Sequence, residues 1–385
     1  MRRVMVAMSG GVDSSVAAAL LSQAGYEVVG VTLKLWGGAG EFAETGCCTA
    51  ADAADARRVA SQLGIDYYVF DFVDPFTRAV VDPFVEAYSK GLTPNPCVEC
   101  NRAIKFSLLL EKATHLGCDL LATGHHARVR HASRRSIEGE CSQQRAESDY
   151  DTGTNADRYQ LLRGKDKFKD QSYVLYMLDQ ESLSKLLLPI GELTKAEVRS
   201  IAASLGLRTA SKPESQDICF VGSRSVSEFV SERAGKSKYL TLVDQHGNDL
   251  GQTVLATLTV GQRRGLGVSR GSRMYVKKIL PDKRIAVVAP KEDVYEKTIT
   301  VTDFNWISAS PPKSRISAEV QIRYNAPAVK ASIVVTGESE VRVEFQQPVW
   351  APAPGQIAVA YDGDEVLGGG VITEEHQESD IYLQS

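Results

Sequence analysis

The first third of the chain alternates strand-like and helix-like segments. Runs typical of buried strands cover residues 4–8, 27–35, 67–72 and 119–123, and helix-like segments cover 14–24, 49–63 and 104–115. Gly25 and Gly64 follow two of these helix-like segments. Strands that alternate with helices in this way form a mostly parallel sheet that is covered on both faces. The sequence therefore predicts an α/β fold that begins with a Rossmann-like domain.

The rest of the chain changes character twice. Residues 131–158 are rich in Ser, Arg, Glu, Gln and Asp, so we expect a surface insertion there. Thr194 with Glu197 forms a capping-box pattern and predicts the start of a helix. From about residue 273, short apolar runs between turn residues predict a small antiparallel barrel or sandwich. We therefore expect an N-terminal α/β domain over 1–212, a small central domain over 213–279 and a C-terminal β-barrel over 280–385.

Composition sets few limits on function. Hydrophobic residues make up 43% of the chain, which is ample for a core, and no apolar run reaches the roughly 18 residues of a membrane helix. The apolar stretch near the start breaks at Gly10, too early for a signal peptide. We therefore expect a cytoplasmic protein that does not enter a membrane. The net charge of −4 gives no overall sign of nucleic-acid binding, and a basic run over 262–278 is, on charge alone, typical of a solvated surface.

The string SGGVDSS, residues 9–15, lies between the first predicted strand and the first predicted helix. Its glycines let the backbone approach a phosphate, and the amide groups at the start of the helix can bind an anion. It is neither a Walker A motif nor GxGxxG. Without further context, the same string could be only a tight connection between strand and helix.

The cysteines suggest chemistry but leave it open. Cys100 lies in the turn-rich segment TPNPCVECN just before a predicted helix, where the helix dipole favours a reactive thiolate. With Cys97 it forms a CxxC pair, which could be a redox pair, half of a metal site or coincidence. Cys219, between Ile and Phe, is on its own typical of an inert buried thiol. Cys118 is expected in the core, and Cys141 in the polar insertion has no expected role.

Together these motifs resemble the bacterial tRNA-specific 2-thiouridylases of the PP-loop ATP pyrophosphatase superfamily, over nearly the whole chain. The matching stretches are SGGVDSS, Gly46-Cys47-Cys48 leading to DARRVASQLGI, TPNPCVECN with IKF, ATGHHARV, KDQSYVLYML, GELTKAEVR, SQDICFV, VGQRRGLG, QIRYNAP and YDGDEVLGGGVI. The resemblance implies a sulfurtransferase that thiolates the wobble uridine of tRNA. The 2-oxygen of the base would be adenylated by ATP and then replaced by sulfur from a cysteine persulfide.

The resemblance also implies roles for individual positions. Cys100 matches the nucleophile and Cys219 the persulfide carrier, so that a disulfide between them would form and need reduction. ATP-binding positions are Ala7, Met8, Ser9, Gly10, Gly11, Val12, Asp13, Ser14, Leu33 and Gly124. Positions beside the target base are Asn95, Pro96 and Cys97, and tRNA-contact positions are His125, Lys169, Asp170, Gln171, Arg323, Tyr324 and Gln356. Without the resemblance, His125 is a capping or core histidine and Arg323 a surface arginine.

Partners and cofactors follow from the same resemblance. It implies ATP with Mg²⁺ as cofactors, and tRNA and a sulfur-donor protein as partners. We further expect Phe220 and its neighbours to belong to a segment that orders when tRNA binds.

Three alternatives stay open. The family usually has Asp where this chain has Cys97. Cys97, Cys100 and Cys219 could therefore instead hold an iron–sulfur cluster with one open iron, although the metal-free persulfide route is preferred. Another PP-loop enzyme that adenylates a small molecule is a second rival, although no glutaminase domain is evident. A non-catalytic sulfur carrier or RNA-binding protein is the third, but it would have no use for SGGVDSS.

Overall fold

The computed structural model describes residues 1–37, 49–132, 158–213, 218–222, 224–235, 238–267, 273–312 and 315–373. Its strands are β1 (Arg3–Ala7), β2 (Glu27–Lys34), β3 (Asp66–Asp71), β4 (Leu120–Ala122), β5 (Ala127–Ala132), β6 (Arg158–Arg163), β7 (Leu186–Leu187), β8 (Tyr239–Val243), β9 (Asp249–Val254), β10 (Met274–Leu280), β11 (Ile285–Pro290), β12 (Tyr295–Trp306), β13 (Ile316–Gln321), β14 (Val329–Val335), β15 (Val341–Trp350), β16 (Ile357–Asp362) and β17 (Glu365–Thr373).

The α-helices are α1 (Val12–Gln23), α2 (Ala50–Leu63), α3 (Val73–Phe76), α4 (Asp82–Ser89), α5 (Pro96–Glu99), α6 (Leu109–His115), α7 (Gln180–Ser184), α8 (Lys195–Ser204) and α9 (Val226–Ala234). Two π-helical stretches, Thr77–Val81 and Cys100–Leu108, join α3 to α4 and α5 to α6. Short 3₁₀ turns cover Ser172–Leu175, Arg208–Ser211, Leu255–Thr257 and Lys291–Val294.

The N-terminal part is built on a parallel sheet with the strand order β3-β2-β1-β4-β7. Alternate residues of β1 point to opposite faces, as the two-residue period of a strand requires. Val4 and Val6 join a core that includes α1, α2 and α8, whereas Met5 joins the core that includes the segments from α3 to α6. A sheet buried on both faces confirms the predicted Rossmann-like fold.

The predicted start of the helix near Thr194 is confirmed. The Thr194 side chain accepts a hydrogen bond from the Glu197 amide, and the Glu197 carboxylate accepts one from the Thr194 amide. This reciprocal pair satisfies two amide groups that a helix start otherwise leaves without acceptors. It also fixes the first residue of α8, Lys195, in place.

The C-terminal part is a closed antiparallel barrel, as the sequence predicts. Its six strands follow the order β12-β15-β14-β13-β16-β17, and β12 also pairs with β17 to close the ring. The hairpin of β5 and β6 continues this sheet, because Glu365 of β17 is paired with Leu162 of β6. The N-terminal and C-terminal parts therefore share a continuous sheet through this hairpin.

A second sheet has the strand order β10-β11-β8-β9. The predicted boundary at residue 280 falls at the last residue of β10, which pairs antiparallel with β11, and β11 pairs with β8. We therefore move the proposed boundary to between Pro290 and Tyr295, where this sheet ends and the barrel begins. The apolar pattern of the two strands could not reveal which sheet they would join.

Three further expectations lie outside the described residues. The structure describes neither residues 133–157, which make up almost all of the predicted insertion, nor Cys47, Cys48 and Cys141. In the described ranges, no helix has the length and apolar character needed to span a bilayer.

Candidate active site

The glycine-rich loop connects β1 to α1. Gly10 has a φ of +71°, and a side chain there would place its Cβ 2.2 Å from the carbonyl oxygen of Asp52, so that only glycine fits. Gly11 is the N-cap of α1 and offers no side chain to the first amide groups of that helix. Uncapped amides at the positive end of a helix dipole can bind an anionic group, as expected for the phosphates of a nucleotide.

The other predicted nucleotide-binding positions lie beside this loop. Gly124 follows β4, the neighbour of β1, and a Cβ on it would lie 2.6 Å from the amide nitrogen of Ser14. Leu33 is buried near the end of β2, the other neighbour of β1. The three segments therefore meet at the carboxyl edge of the parallel strands, which is the usual ligand site of an open α/β sheet.

Side chains that the sequence analysis did not select hold the loop. Lys195 Nζ lies 2.9 and 2.7 Å from the two carboxylate oxygens of Asp13, and His126 Nε2 lies 3.2 Å from Asp13 Oδ1. Burial raises the pKa of Asp13, but the hydrogen bonds from His126 and Lys195 outweigh it, and this pKa lies below its usual value. Asp13 is therefore ionised at neutral pH.

A second lysine contacts the loop from another side. Lys212 Nζ donates to the carbonyl oxygen of Gly10 at 3.0 Å and to the carboxylates of Asp52 and Asp55 at 2.7 Å each. Lys195 and His126 belong to the matching stretches GELTKAEVR and ATGHHARV, which was the available signal. The contacts of these side chains with the loop arise only because the fold brings the distant segments together.

Cys100 lies in the helical segment that begins after Asn95. The Asn95 side-chain oxygen accepts hydrogen bonds from the amides of Cys97 and Val98, at 3.1 and 3.4 Å. Cys100 is buried and begins the π-helical stretch, whereas Cys97 is exposed on the first turn. Wide π-helical turns are common at functional sites, because they change the direction in which a side chain points.

Cys219 is partly buried and packs against the same apolar core that contains Cys100. Phe220 anchors this segment, with its ring centre 5.2 Å from that of Phe84, 5.3 Å from that of Phe229 and 5.7 Å from that of Phe76. The Phe220 side chain is 2% exposed and packs in this core, and the expectation that its segment orders when tRNA binds stays a prediction. Of the SQDICFV stretch, residues 215–217 lie outside the described ranges.

Several predicted tRNA-contact positions connect to the nucleotide loop or to the Cys100 segment. The Gln171 side chain accepts a hydrogen bond from the His126 amide at 2.9 Å, and the His126 ring contacts Asp13. The Lys169–Gln171 stretch is therefore linked to the nucleotide loop through His126. Gln356 of the barrel donates to the carbonyl oxygen of Thr93 at 3.0 Å, just before Asn95. The Tyr324 ring lies 6.0 Å from that of Tyr173.

Two of these positions make contacts within the protein. The Arg323 guanidinium donates to the carbonyl oxygens of Val260 and Ala351, at 3.3 and 2.5 Å. Arg323 is therefore a half-buried residue that links these two segments, and not a surface arginine. The Asp170 carboxylate accepts from the amides of Gly164 and Ser172 and from Arg163. Both residues support the backbone around them, whatever else they contact.

His125 is buried, and its Nδ1 lies 2.7 Å from the hydroxyl of Thr123. Burial, and then the nearby Lys105 charge, hold its pKa well below the usual value. His125 is therefore a neutral hydrogen-bonding group and not a cation for phosphate.

A cavity of about 620 Å³ lies between the loop after β6 and the barrel. Arg163, Phe168, Asp170, Gln321 and Tyr324 are among its lining residues. Two of the predicted tRNA-contact positions, Asp170 and Tyr324, border it.

The iron–sulfur alternative finds no support in the geometry. Over the residues that the structure describes, no three His, Cys, Asp or Glu side chains are grouped as metal ligands. Cys97, Cys100 and Cys219 therefore do not form a ligand set, and Cys97 faces outward.

A glycine loop at the carboxyl edge of a parallel sheet, followed by an uncapped helix, defines a nucleotide-binding α/β domain of the PP-loop class. The family model "tRNA methyl transferase HUP domain" matches residues 2–223, and "Aminomethyltransferase beta-barrel domain" matches residues 296–372. Curated relatives with the name tRNA-specific 2-thiouridylase MnmA match nearly the whole chain.

Two relatives illustrate the match. That of Carboxydothermus hydrogenoformans is 45% identical and covers 96% of this chain and 97% of its own length. That of Moorella thermoacetica is 46% identical and covers 96% of this chain and 98% of its own length. The chain belongs to the tRNA-specific 2-thiouridylase family.

Proposed function

We propose that this chain uses ATP to replace the 2-oxygen of the wobble uridine of tRNA by sulfur. The observation that carries this proposal is a line of contacts between the nucleotide loop and the predicted tRNA-binding stretch. Asp13 of the loop contacts the His126 side chain, and the backbone amide of His126 donates to Gln171. An enzyme that adenylates a base needs its nucleotide and its tRNA in adjacent sites of this kind.

The first chemical step is adenylation. The uracil 2-oxygen attacks the α-phosphorus of ATP, the bond to pyrophosphate breaks, and the base becomes a good acceptor because AMP leaves readily. The amides at the start of α1 bind the phosphates, and Gly10 and Gly124 allow the close backbone contacts with Asp52 and Ser14 that shape the loop. The predicted positions Ala7 to Ser14, Leu33 and Gly124 are proposed as this site.

Mg²⁺ is proposed as the companion of ATP. Both carboxylate oxygens of Asp13 already contact Lys195, so the ion would enter with the phosphates of ATP, whose oxygens are the kind of ligand that Mg²⁺ prefers. The ion would neutralise charge on the phosphates. The residues of this chain do the remaining work, since they orient the nucleotide and exclude water from the adenylated base.

The second step transfers sulfur from a persulfide on Cys219. In one route, the Cys100 thiolate attacks Cys219 Sγ and releases sulfide, which then displaces AMP from carbon 2. In the other route, the terminal persulfide sulfur displaces AMP directly, and Cys100 then attacks Cys219 Sγ and frees the thiolated base. Both routes end in a Cys100–Cys219 disulfide, which an external thiol reduces by two electrons.

The target base must leave its stack to reach this site. Enzymes that act on a base pay the cost of unstacking it, and that cost is small for an unpaired loop nucleotide. Asn95, Pro96 and Cys97 are proposed beside the base, with His125, Lys169–Gln171, Arg323, Tyr324 and Gln356 around the tRNA. A sulfur-donor protein supplies the persulfide, and the cytoplasm, which holds ATP and tRNA, is the proposed compartment.

The test is a thiolation assay with unmodified tRNA, ATP, Mg²⁺ and a sulfur donor, followed by digestion and mass spectrometry. We expect 2-thiouridine from the unaltered chain, and a loss of about 100-fold or more with Cys100→Ser or Cys219→Ser, because each variant removes a reacting sulfur. ATP binding should stay unchanged in both variants. Cys118→Ala is the matched control, because Cys118 is a buried thiol outside the site.

Two results would contradict the proposal. The unaltered chain could yield no 2-thiouridine under reducing conditions, with or without oxygen. Alternatively, either cysteine variant could retain thiolation, which would remove that residue from the mechanism.

A further inference from the structure

Lys195 is the first residue of α8, and its ammonium lies at the nucleotide loop. It contacts both oxygens of Asp13, and its side chain is 12% exposed. Its own amide donates to Asp166 Oδ2 at 2.9 Å, and the capping box of Thr194 and Glu197 fixes the turn before it. The backbone of Lys195 is therefore fixed at the start of α8, and its side chain reaches the loop from that fixed position.

The loop needs such a charge to hold a polyphosphate. The helix dipole of α1 contributes only about half a positive charge, and Asp13 adds a full negative charge to the first turn. Lys212 also contacts the loop, but the carboxylates of Asp52 and Asp55 face its ammonium and outweigh its single charge. Of these two lysines, Lys195 is therefore the one whose ammonium lies against the first turn of α1, where it offsets the charge of Asp13.

We infer that Lys195 binds the β- and γ-phosphates of ATP, with Asp13 holding its ammonium over the start of α1. The inference rests on the proposed function in one respect, namely that ATP occupies the loop. When the uracil oxygen bonds to the α-phosphorus and the bond to the β-phosphate oxygen breaks, negative charge grows on the leaving pyrophosphate. A fixed cation at that place stabilises the leaving group and also selects a triphosphate over a monophosphate.

This role differs measurably from a purely structural one. If Lys195 only steadied Asp13 and the loop, its removal would weaken every nucleotide that binds there. If it binds the outer phosphates, its removal weakens ATP and pyrophosphate but spares AMP, which lacks them. The ratio of ATP affinity to AMP affinity therefore distinguishes the two roles.

The experiment is calorimetric titration of the full chain with ATP, pyrophosphate and AMP. We expect Lys195→Ala and Lys195→Gln to weaken ATP and pyrophosphate about 10- to 100-fold, the range for loss of a charged phosphate contact, with AMP affinity within about 2-fold of the original. Lys195→Arg keeps the charge and should recover most of the ATP affinity. Lys165→Ala is the matched control, because Lys165 pairs with Glu197 of the same helix and is exposed.

Three outcomes would overturn the inference. The unaltered chain could bind ATP no more tightly than AMP, the Lys195→Gln variant could lose ATP and AMP affinity equally, or it could lose neither. Melting curves for each variant show that it is folded before it is titrated. A chain that prefers ATP through Lys195 but never forms 2-thiouridine would contradict the proposed function and leave this assignment intact.

Discussion

His125 and His126 are adjacent in sequence but have different surroundings. The ring of His125 is buried, beside the Thr123 hydroxyl and 6.0 Å from the ring of Phe106, whereas the ring of His126 contacts Asp13. Burial of the ring, and then the nearby charge of Lys105, lower the pKa of His125, while Asp13 acts in the opposite direction. A histidine that must stay neutral makes the folded chain sensitive to acid.

Stability should therefore fall at mildly acidic pH because of His125. Its folded pKa lies well below the usual 6.5, so its contribution is complete above about pH 6.5 and is lost as the pH falls towards the folded value. One such group changes the free energy of unfolding by up to about 1.4 kcal/mol per pH unit. We expect His125→Gln to reduce the drop in melting temperature between pH 6.5 and 5.

The matched control is His115→Gln, at an exposed position on α6. If the melting temperature of His125→Gln falls with pH as steeply as that of the unaltered chain, then His125 is not the acid-sensitive group.

At the scale of elements, one continuous helical segment carries both cysteines of the CxxC pair. It consists of α5, the π-helical stretch Cys100–Leu108 and α6, and Asn95 caps its start. Because Cys100 lies in the second turn after the cap, its position depends on where the helix begins. A change in the cap should therefore affect chemistry as well as stability.

We expect Asn95→Ala to lower stability by about 0.5–2 kcal/mol, the usual cost of losing a side-chain N-cap, and to reduce 2-thiouridine formation. Asn95→Asp keeps an oxygen acceptor and should restore both. Urea unfolding and the thiolation assay measure the two effects. Asp179→Ala is the matched control, since Asp179 caps α7 by accepting from the Ser182 amide.

The control should lose similar stability but retain thiolation. If Asn95→Asp recovers stability without recovering thiolation, the Asn95 amide group acts on the base itself, and the cap does not explain the loss.

At the scale of the whole molecule, the barrel contacts the segment that leads to Cys100. The Thr93 amide donates to the carbonyl oxygen of Pro354 at 2.8 Å, and Gln356 donates to the carbonyl oxygen of Thr93. Tyr173, two residues after the predicted tRNA-binding stretch Lys169–Gln171, donates from its hydroxyl to the carbonyl oxygen of Ile357 at 2.7 Å, which joins this segment to the same part of the barrel. The C-terminal part therefore supports the Cys100 segment directly.

Gly355→Ala tests this support. Gly355 has a φ of +88°, and a Cβ there would lie 2.8 Å from the Thr93 amide nitrogen, so an alanine must push the two segments apart. We expect tRNA binding and thiolation to fall about 10-fold or more, as misplacement of about 1 Å does in other active sites, while ATP binding stays unchanged. Filter binding and the thiolation assay provide the measurements.

Gly25→Ala is the matched control. Gly25 has a similar φ of +83° and nothing within 4 Å of an added Cβ, so it carries the same backbone strain without the clash. Equal loss of thiolation in both variants would show that strain alone, and not contact with the barrel, causes the effect.

Local patterns in the sequence were enough to predict much of this protein. The alternation of strands and helices, the capping box at Thr194 and the glycine loop depend on residues a few positions apart. Such patterns act through backbone geometry and short-range hydrogen bonds, which any fold containing them must obey. The candidate roles of Cys100 and Cys219 came from resemblance of motifs and not from these patterns.

The tertiary structure decided which distant segments meet. Lys195 and Asp13 are 182 positions apart, and Lys212 and Gly10 are 202 apart, yet both lysines contact the same loop. In the same way, β10 and β11 joined the sheet of β8 and β9, and the β5–β6 hairpin joined the barrel. An apolar strand or a lysine has many possible partners along a chain, and only the packing of the whole chain selects one of them.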